Sequence, residues 1–234
     1  MRRRISNKVF CSFCFFCLFA IIMYAAVFVL RAPALLAAGP PAVVAVDPGH
    51  GGYDDGIVYN NRDGKQVKEK NVDLEIAKAL ISDLQAQGAV AFATRRVDEY
   101  MNISRRAQAA QAKSPNIFLS IHLSATGSFN IYVTNMPQAQ GDPKQLYLYS
   151  KRQRPFIGKS RDLASALELS VKQAFPNVNV SYMELPLPLL DEMGAPAVLI
   201  ECPGPAYLDY TDPSVSGRIA QAVAGAVMVF NAKP

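Results

Sequence analysis

Two histidines, His50 and His122, are the only ones in this 234-residue chain. Each follows a short apolar run. Val43-Val44-Ala45-Val46 leads into Asp47-Pro48-Gly49-His50-Gly51-Gly52, where proline and three glycines forbid further strand and leave backbone free to pass close to a bound group. Ile117 to Ile121 leads into His122, and Ala197 to Ile200 leads into Glu201. A divalent zinc ion accepts imidazole nitrogen and carboxylate oxygen, and catalytic sites use three protein ligands with one position left for water. His50 and His122 could supply two. Glu69, at the head of a helical stretch, is the attractive third, although spacing alone favours a solvated glutamate stabilised by the helix dipole. Glu201 ends a strand of buried character, which demands a partner for its carboxylate. It is either a satisfied structural acid or a general base beside a metal, with a raised pKa.

The elements that must position these groups follow from periodicity. Strands are expected at 43–47, 89–94, 117–121, 129–133 and 197–200. Helices are expected at 70–87, where Ile76, Ala77, Leu80, Ile81 and Leu84 form a stripe that stops at Gly88, and at 102–113, 161–175 and 214–231. The Gly-, Asn- and Asp-rich stretch 51–64 reads as irregular loop, and Pro137 to Lys159 as a polar surface excursion that could cover the site as a lid. Strands alternating with helices predict a single α/β layered domain, with a central mostly parallel or mixed sheet flanked by helices. His50, His122 and Glu201 then fall at strand ends, where open α/β sheets place ligands.

Composition sets further bounds. Half the residues are hydrophobic and 18% are charged, enough for a real core. The net charge of +5 is concentrated at one end: Arg2, Arg3, Arg4, Lys8 and Arg31 precede any acidic residue. Removing those five from 24 leaves 19 basic against 19 acidic residues, which argues against a nucleic-acid partner. Val9 to Leu30 is 22 residues without charge, long enough to span a bilayer. The basic flank places the amino terminus in the cytoplasm and everything after the span outside it. The expected organisation is therefore a signal-anchor at 1–31, a Pro/Ala linker at 32–42 and a catalytic domain at 43–234. The protein would sit in the inner membrane as a single-pass chain facing the periplasm. A cleaved signal peptide is the competing reading. Cys11, Cys14 and Cys17 read as small apolar residues of the span rather than as cluster ligands. Cys202 is then the only cysteine of the exported part, so no disulfide forms within it.

Five stretches, in order, carry a resemblance. They are Val46-Asp47-Pro48-Gly49-His50-Gly51-Gly52, Glu69-Lys70-Asn71-Val72-Asp73-Leu74, Thr94-Arg95 with Asp98, Ser120-Ile121-His122, and Pro196-Ala197-Val198-Leu199-Ile200-Glu201. The chain resembles the zinc-dependent N-acetylmuramoyl-L-alanine amidases, cell-wall hydrolases of the AmiA, AmiB, AmiC and CwlD type, from about Val43 to Phe230. The resemblance implies zinc held by His50, Glu69 and His122, with Glu201 as the catalytic carboxylate. It further implies a peptidoglycan substrate cut at the amide between N-acetylmuramic acid and L-alanine, with an activator protein left open. Two departures stand out: Ser124, where the family commonly has Asn, and Cys202-Pro203-Gly204-Pro205-Ala206, where it commonly has Gly-Phe-Ile-Ser-Asn. They leave room for a non-catalytic wall-binding homologue, or for a same-fold zinc hydrolase of another amide.

Overall fold

The computed structural model describes residues 40–61, 64–134 and 152–232. The chain falls into two units, Met1–Pro40 and Pro41–Pro234, and the second carries everything described below. The anchor expected at 1–31 and nearly all of the linker at 32–42 lie outside the described residues. Among those described, no helix is long and apolar enough to cross a membrane.

Among the described residues eight strands form: β1 (Val43–Pro48), β2 (Val58–Asn60), β3 (Gln66–Lys68), β4 (Val90–Ala93), β5 (Ile117–Leu123), β6 (Phe129–Thr134), β7 (Val180–Leu185) and β8 (Ala197–Cys202). Five described helices accompany them: α1 (Glu69–Ala86), α2 (Ile103–Gln111), α3 (Ile157–Ala174), the single turn α4 (Pro188–Asp191) and α5 (Pro213–Asn231). Six strands build one sheet in the order β4-β1-β5-β8-β6-β7. From β4 to β8 neighbours run parallel, β6 runs antiparallel to β8, and β7 is parallel to β6. The sheet is mixed, as expected, and the reversal brings the start of β6 to the same edge as the ends of β1, β5 and β8.

Alternation along the strands gives each face its own core. Val44, Val46, Leu119, Ile121, Val198 and Ile200 pack with α1, α3 and α5 through Ile76, Leu80, Leu84, Leu163, Leu167 and Val223. Ala45, Phe118 and Ala197 point the other way, onto Ala107 and Ala110 of α2 and Leu190 of α4. Each fully buried Leu or Ile in these layers is worth about 1.5–3 kcal/mol of transfer free energy. Helix α1 shows why these residues make this element. Val72, Ile76, Leu80 and Leu84 recur every fourth residue and are all buried. It then stops at Gly88, whose φ of 89° is open to glycine. The Gly88 N–H meets the Gln85 carbonyl at 3.0 Å and the Ala89 N–H meets that of Leu84 at 3.0 Å, a Schellman closure.

Several expectations need correction. The stretch 51–64 is not all loop: Val58–Asn60 pairs antiparallel with Gln66–Lys68 as a two-stranded ribbon. Strand β5 continues through His122 to Leu123, and β8 through Glu201 to Cys202, so both side chains stand within strand ends rather than beyond them. Helix α3 begins at Ile157, after a 3₁₀ turn over Arg154–Phe156. The tail of the expected surface excursion is thus built into the fold. Gln153 is buried, donating to the carbonyls of Met193 and Ala195 at 3.0 and 2.9 Å and accepting from Ser160 at 2.8 Å. Residues 137–151 of that excursion, and with them the lid, lie outside the described residues.

Candidate metal centre

The loop after β1 presents His50 in the left-handed region, φ 52°, followed by Gly51 at 125° and Gly52 at 62°. A non-glycine residue is held there only when its surroundings over-determine it. Here two buried arginines do so. Arg95 donates to the carbonyls of Pro48 (3.1 Å), Gly49 (2.6 Å) and Lys70 (2.7 Å). Arg106 donates to those of Pro48 (2.6 Å) and His50 and pairs with Asp47 at 3.0 Å. Asp47 is fully buried and also accepts from Thr94 at 2.5 Å and Ser120 at 3.0 Å. Beyond the histidine, Lys70 gathers the Gly52 carbonyl (2.6 Å), Asp55 (2.8 Å) and Asp98 (2.9 Å). The Thr94, Arg95 and Asp98 positions therefore hold the loop in shape.

Glu69 is the first residue of α1 and only 2% exposed, so it is no solvated helix-end glutamate. One carboxylate oxygen, Oε2, accepts from the Ile57 N–H at 2.8 Å, and the other, Oε1, from the Leu123 N–H at 2.9 Å. Oε1 lies 3.1 Å from His50 Nε2 and 3.2 Å from His122 Nδ1, and the two imidazole nitrogens are 3.3 Å apart. Close approach here requires glycine: a Cβ on Gly56 would lie 2.6 Å from Glu69 Oε2, and one on Gly49 would lie 2.3 Å from His122 Cε1.

The electrostatics of this triangle call for a positive charge at its centre. His50 Nδ1 sits 2.8 Å from the Asp54 carboxylate, which fixes that nitrogen as the N–H and turns the Nε2 lone pair inward, toward Glu69. Burial works against the His50 imidazolium, but Glu69 and Asp54 outweigh it and raise the pKa. Burial likewise opposes a charged Glu69, yet His122, His50 and the two backbone N–H groups hold it well below the glutamate range. A fourth group, which the sequence reading did not single out as a ligand, joins them. Asp73 stands one turn beyond Glu69 on α1, on the same face, and all four residues offer ligand atoms within 4.8 Å of one another. Both Asp73 oxygens are buried without a hydrogen-bond partner, and burial, then the charge of Glu69, push its pKa well up.

These residues fit a metal. Four-coordinate zinc with bonds of ~2.0–2.1 Å separates its ligand atoms by about 3.3 Å, close to the 3.1–3.3 Å sides of the triangle. A site open to solvent adjoins it, a hollow of about 630 Å³ bordered by His50, His122, Tyr100, Met101, Leu187 and Leu189.

Glu201 occupies the strand position beside His122 in the parallel β5–β8 ladder, on the same face of the sheet. Its Oε2 accepts from Asn130 and Tyr132, both at 3.0 Å. Ser124 is buried next to it, with its Oγ 3.0 Å from Asn130 Nδ2 and 2.9 Å from Thr126 Oγ1. In the divergent segment, Cys202 is a buried free thiol on the opposite face. Gly204 lies flat on the Ser124 carbonyl, where a Cβ would approach to 2.2 Å. All four residues singled out by sequence thus meet at one sheet edge. Asn130, Tyr132 and Asp54 went unnoticed because a lone Asn, Tyr or Asp carries no spacing signal. Asp73 could have been found by its interval of four from Glu69.

Fold and donor set together define an α/β protein with a His/Glu/His group, able to hold a divalent metal, at the carboxyl edge of its sheet. The chain belongs to the N-acetylmuramoyl-L-alanine amidase family, whose pattern it matches over residues 44–226. Among individual relatives, it is 38% identical over 87 residues to the amidase AmiC of Escherichia coli, which is 36% of this chain and 20% of that protein. It is 35% identical over 85 residues to LytC of Bacillus subtilis, 36% of this chain and 16% of that one. The matched stretches thus span about a fifth or less of these relatives' length. Its fold is that of the Clostridium difficile 630 amidase, with a TM-score of 0.64 at 23% identity, covering 82% of this chain and 97% of the other. The catalytic domain of CwlV from Bacillus (Paenibacillus) polymyxa is similar as well, with a TM-score of 0.61 at 22% identity over 81% and 97%.

Proposed function

We propose that the protein is a zinc-dependent peptidoglycan amidase, cutting the amide between the lactyl group of N-acetylmuramic acid and L-alanine. The observation that carries this reading is the 3.1–3.3 Å triangle of His50, Glu69 and His122 with Glu201 in register beside it, in a chain of this family. His50, Glu69 and His122 would hold the metal, and Asp54 orients the His50 ring. Zinc bound there would supply Lewis acidity, lowering the pKa of a water toward ~7 and polarising a carbonyl oxygen. Glu201 takes the proton of the attacking water and returns it to the departing nitrogen. The C–N bond breaks into a lactyl carboxylate and a free L-alanine amine. A non-catalytic wall-binding role is less well supported, since Glu201 keeps both of its hydrogen-bond donors.

The uncharged Val9 to Leu30 stretch supports a membrane anchor, with the catalytic unit facing the cell wall. The similar CwlD amidase of Clostridioides difficile was solved in complex with the GerS lipoprotein, which supports an activator protein for this chain too. The test is direct. The purified full-length chain, loaded with zinc and given peptidoglycan sacculi, should release soluble peptides with new L-alanine amino termini. Chelation should abolish release, and Glu201→Gln should cut it to a small but measurable residual rate while retaining metal. Sacculi left without new termini, or full activity in Glu201→Gln, would sink the proposal.

A further inference from the structure

Strand β6 reaches Glu201 from the side opposite His122. In its antiparallel ladder with β8, Asn130 is the residue directly paired with Glu201. Tyr132, two residues on, shares that face and directs its hydroxyl back to the same carboxylate. Asn130 is buried and fully satisfied. Nδ2 donates to Glu201 Oε2 and to Ser124 Oγ, both at 3.0 Å, while Oδ1 accepts from Ser181 at 2.7 Å. Its orientation is determined chemically, because a carboxylate only accepts and so must be met by the amide NH2. The Tyr132 hydroxyl is pushed up to about 12 by burial and by Glu201, so it stays protonated and remains a donor.

The two bonds share one destination. Both end on Oε2, and among the described residues no donor meets Oε1. Hydrogen bonds to a charged acceptor are the strong ones, so this pair fixes the rotation of the carboxylate about its terminal torsion. That torsion is otherwise broad and roughly two-fold. Ser124 has a part in the arrangement: its hydroxyl accepts the second N–H of the Asn130 amide.

We infer that Asn130 and Tyr132 are positioning residues for Glu201, holding Oε2 and leaving Oε1 as the oxygen that exchanges protons with the attacking water and the leaving amine. This rests on the amidase reading above. Its test is a double-mutant cycle on the full-length, zinc-loaded enzyme, with Tyr132→Phe as the lead variant because it removes a single half-buried oxygen. Tyr132→Phe should lower kcat about tenfold, with KM and bound zinc within about twofold of wild type. On the Glu201→Gln background it should cause no further loss, because its effect runs through that carboxylate. Asn130→Ala should behave in the same way. Unchanged kcat in Tyr132→Phe would overturn the inference while leaving the amidase reading intact. So would a rise in KM at constant kcat, loss of zinc, or an equal further loss on the Glu201→Gln background. An inactive wild type, or a fully active Glu201→Gln, would overturn both.

Discussion

Gly49→Ala isolates the geometry of the centre from its chemistry. The substitution adds one methyl, and Gly49 is not among the glycines with positive φ, so backbone conformation is no obstacle. Its Cβ would stand 2.3 Å from His122 Cε1, 2.5 Å from His122 Nδ1 and 2.8 Å from Asp73 Oδ2. The backbone cannot easily retreat, because the Gly49 N–H is tied to the Ile121 carbonyl at 2.9 Å and its carbonyl to Arg95 at 2.6 Å. The imidazole must therefore move. Restoring an ordinary contact of 3.4 Å takes a shift of about 1 Å, and the atom displaced is one of the three donors. Overpacking of this kind costs about 1–3 kcal/mol, and a unit of this size loses about 2–4 °C of Tm for each kcal/mol, so the protein stays folded. Removing an outer partner of a metal ligand weakens binding about 10–100-fold, and a displaced ligand should exceed that. The assay is a zinc titration against a competing chelator, with circular dichroism to confirm the fold. The comparison is Gly217→Ala in α5, where a Cβ meets nothing within 4 Å and helix propensity favours the change. Zinc affinity in Gly49→Ala within about threefold of wild type would refute the reasoning.

Two further outcomes follow from groups around the centre. In metal-free protein, the depressed Glu69 contributes stability above its unfolded pKa, and that contribution fades as pH falls below the ordinary range of ~4–4.5. The raised His50 contributes below 6.5, and its share is lost as pH rises through its folded value, while the raised Asp73 likewise favours folding at lower pH. The Tm of chelator-treated protein should therefore peak at pH ~4–5 and fall toward pH 8. A Tm that climbs steadily from pH 6 to 8 would contradict these signs. Arg106→Leu should lower the denaturant-derived stability by about 3–5 kcal/mol, because it strips the ion pair from the fully buried Asp47, leaves the His50 carbonyl without its arginine donor and leaves the Pro48 carbonyl to Arg95 alone. A loss below ~1 kcal/mol would show that Thr94 and Ser120 satisfy Asp47 alone.

What sequence could reveal depended on whether a residue's role was periodic. The stripe Ile76, Leu80, Leu84 and the runs at Val43, Ile117 and Ala197 point to buried elements because burial itself imposes their spacing, and the structure places each where expected. Helix ends shifted by a few residues because caps and 3₁₀ turns, as at Arg154–Phe156, carry no hydrophobic signal. Strands β2 and β3 are three residues each, polar and half exposed, so neither alternation nor apolar content marks them. Edge strand β7 escaped for a similar reason, since Tyr182, Met183 and Leu185 are exposed and no core selects them. At the site, scarcity made His50 and His122 visible. Glu69 depended on resemblance, since its burial comes from Ile57 and Leu123, which are distant in sequence from one another. Arg95 stands out only as part of a matching stretch and Arg106 not at all, because the carbonyls they gather come from loops distant in sequence.

The centre also has an order of assembly. Its donors lie on the loop after β1, the head of α1 and the end of β5, and the two histidines are 72 residues apart. No short segment contains the set, so an unfolded chain offers the ion nothing better than scattered single ligands. The β1–β5 pairing must close first, which is slow because a long intervening loop has to be ordered before any contact rewards it. A divalent metal that needs the whole donor set would therefore be held only by a chain whose β1–β5 pairing is already in register.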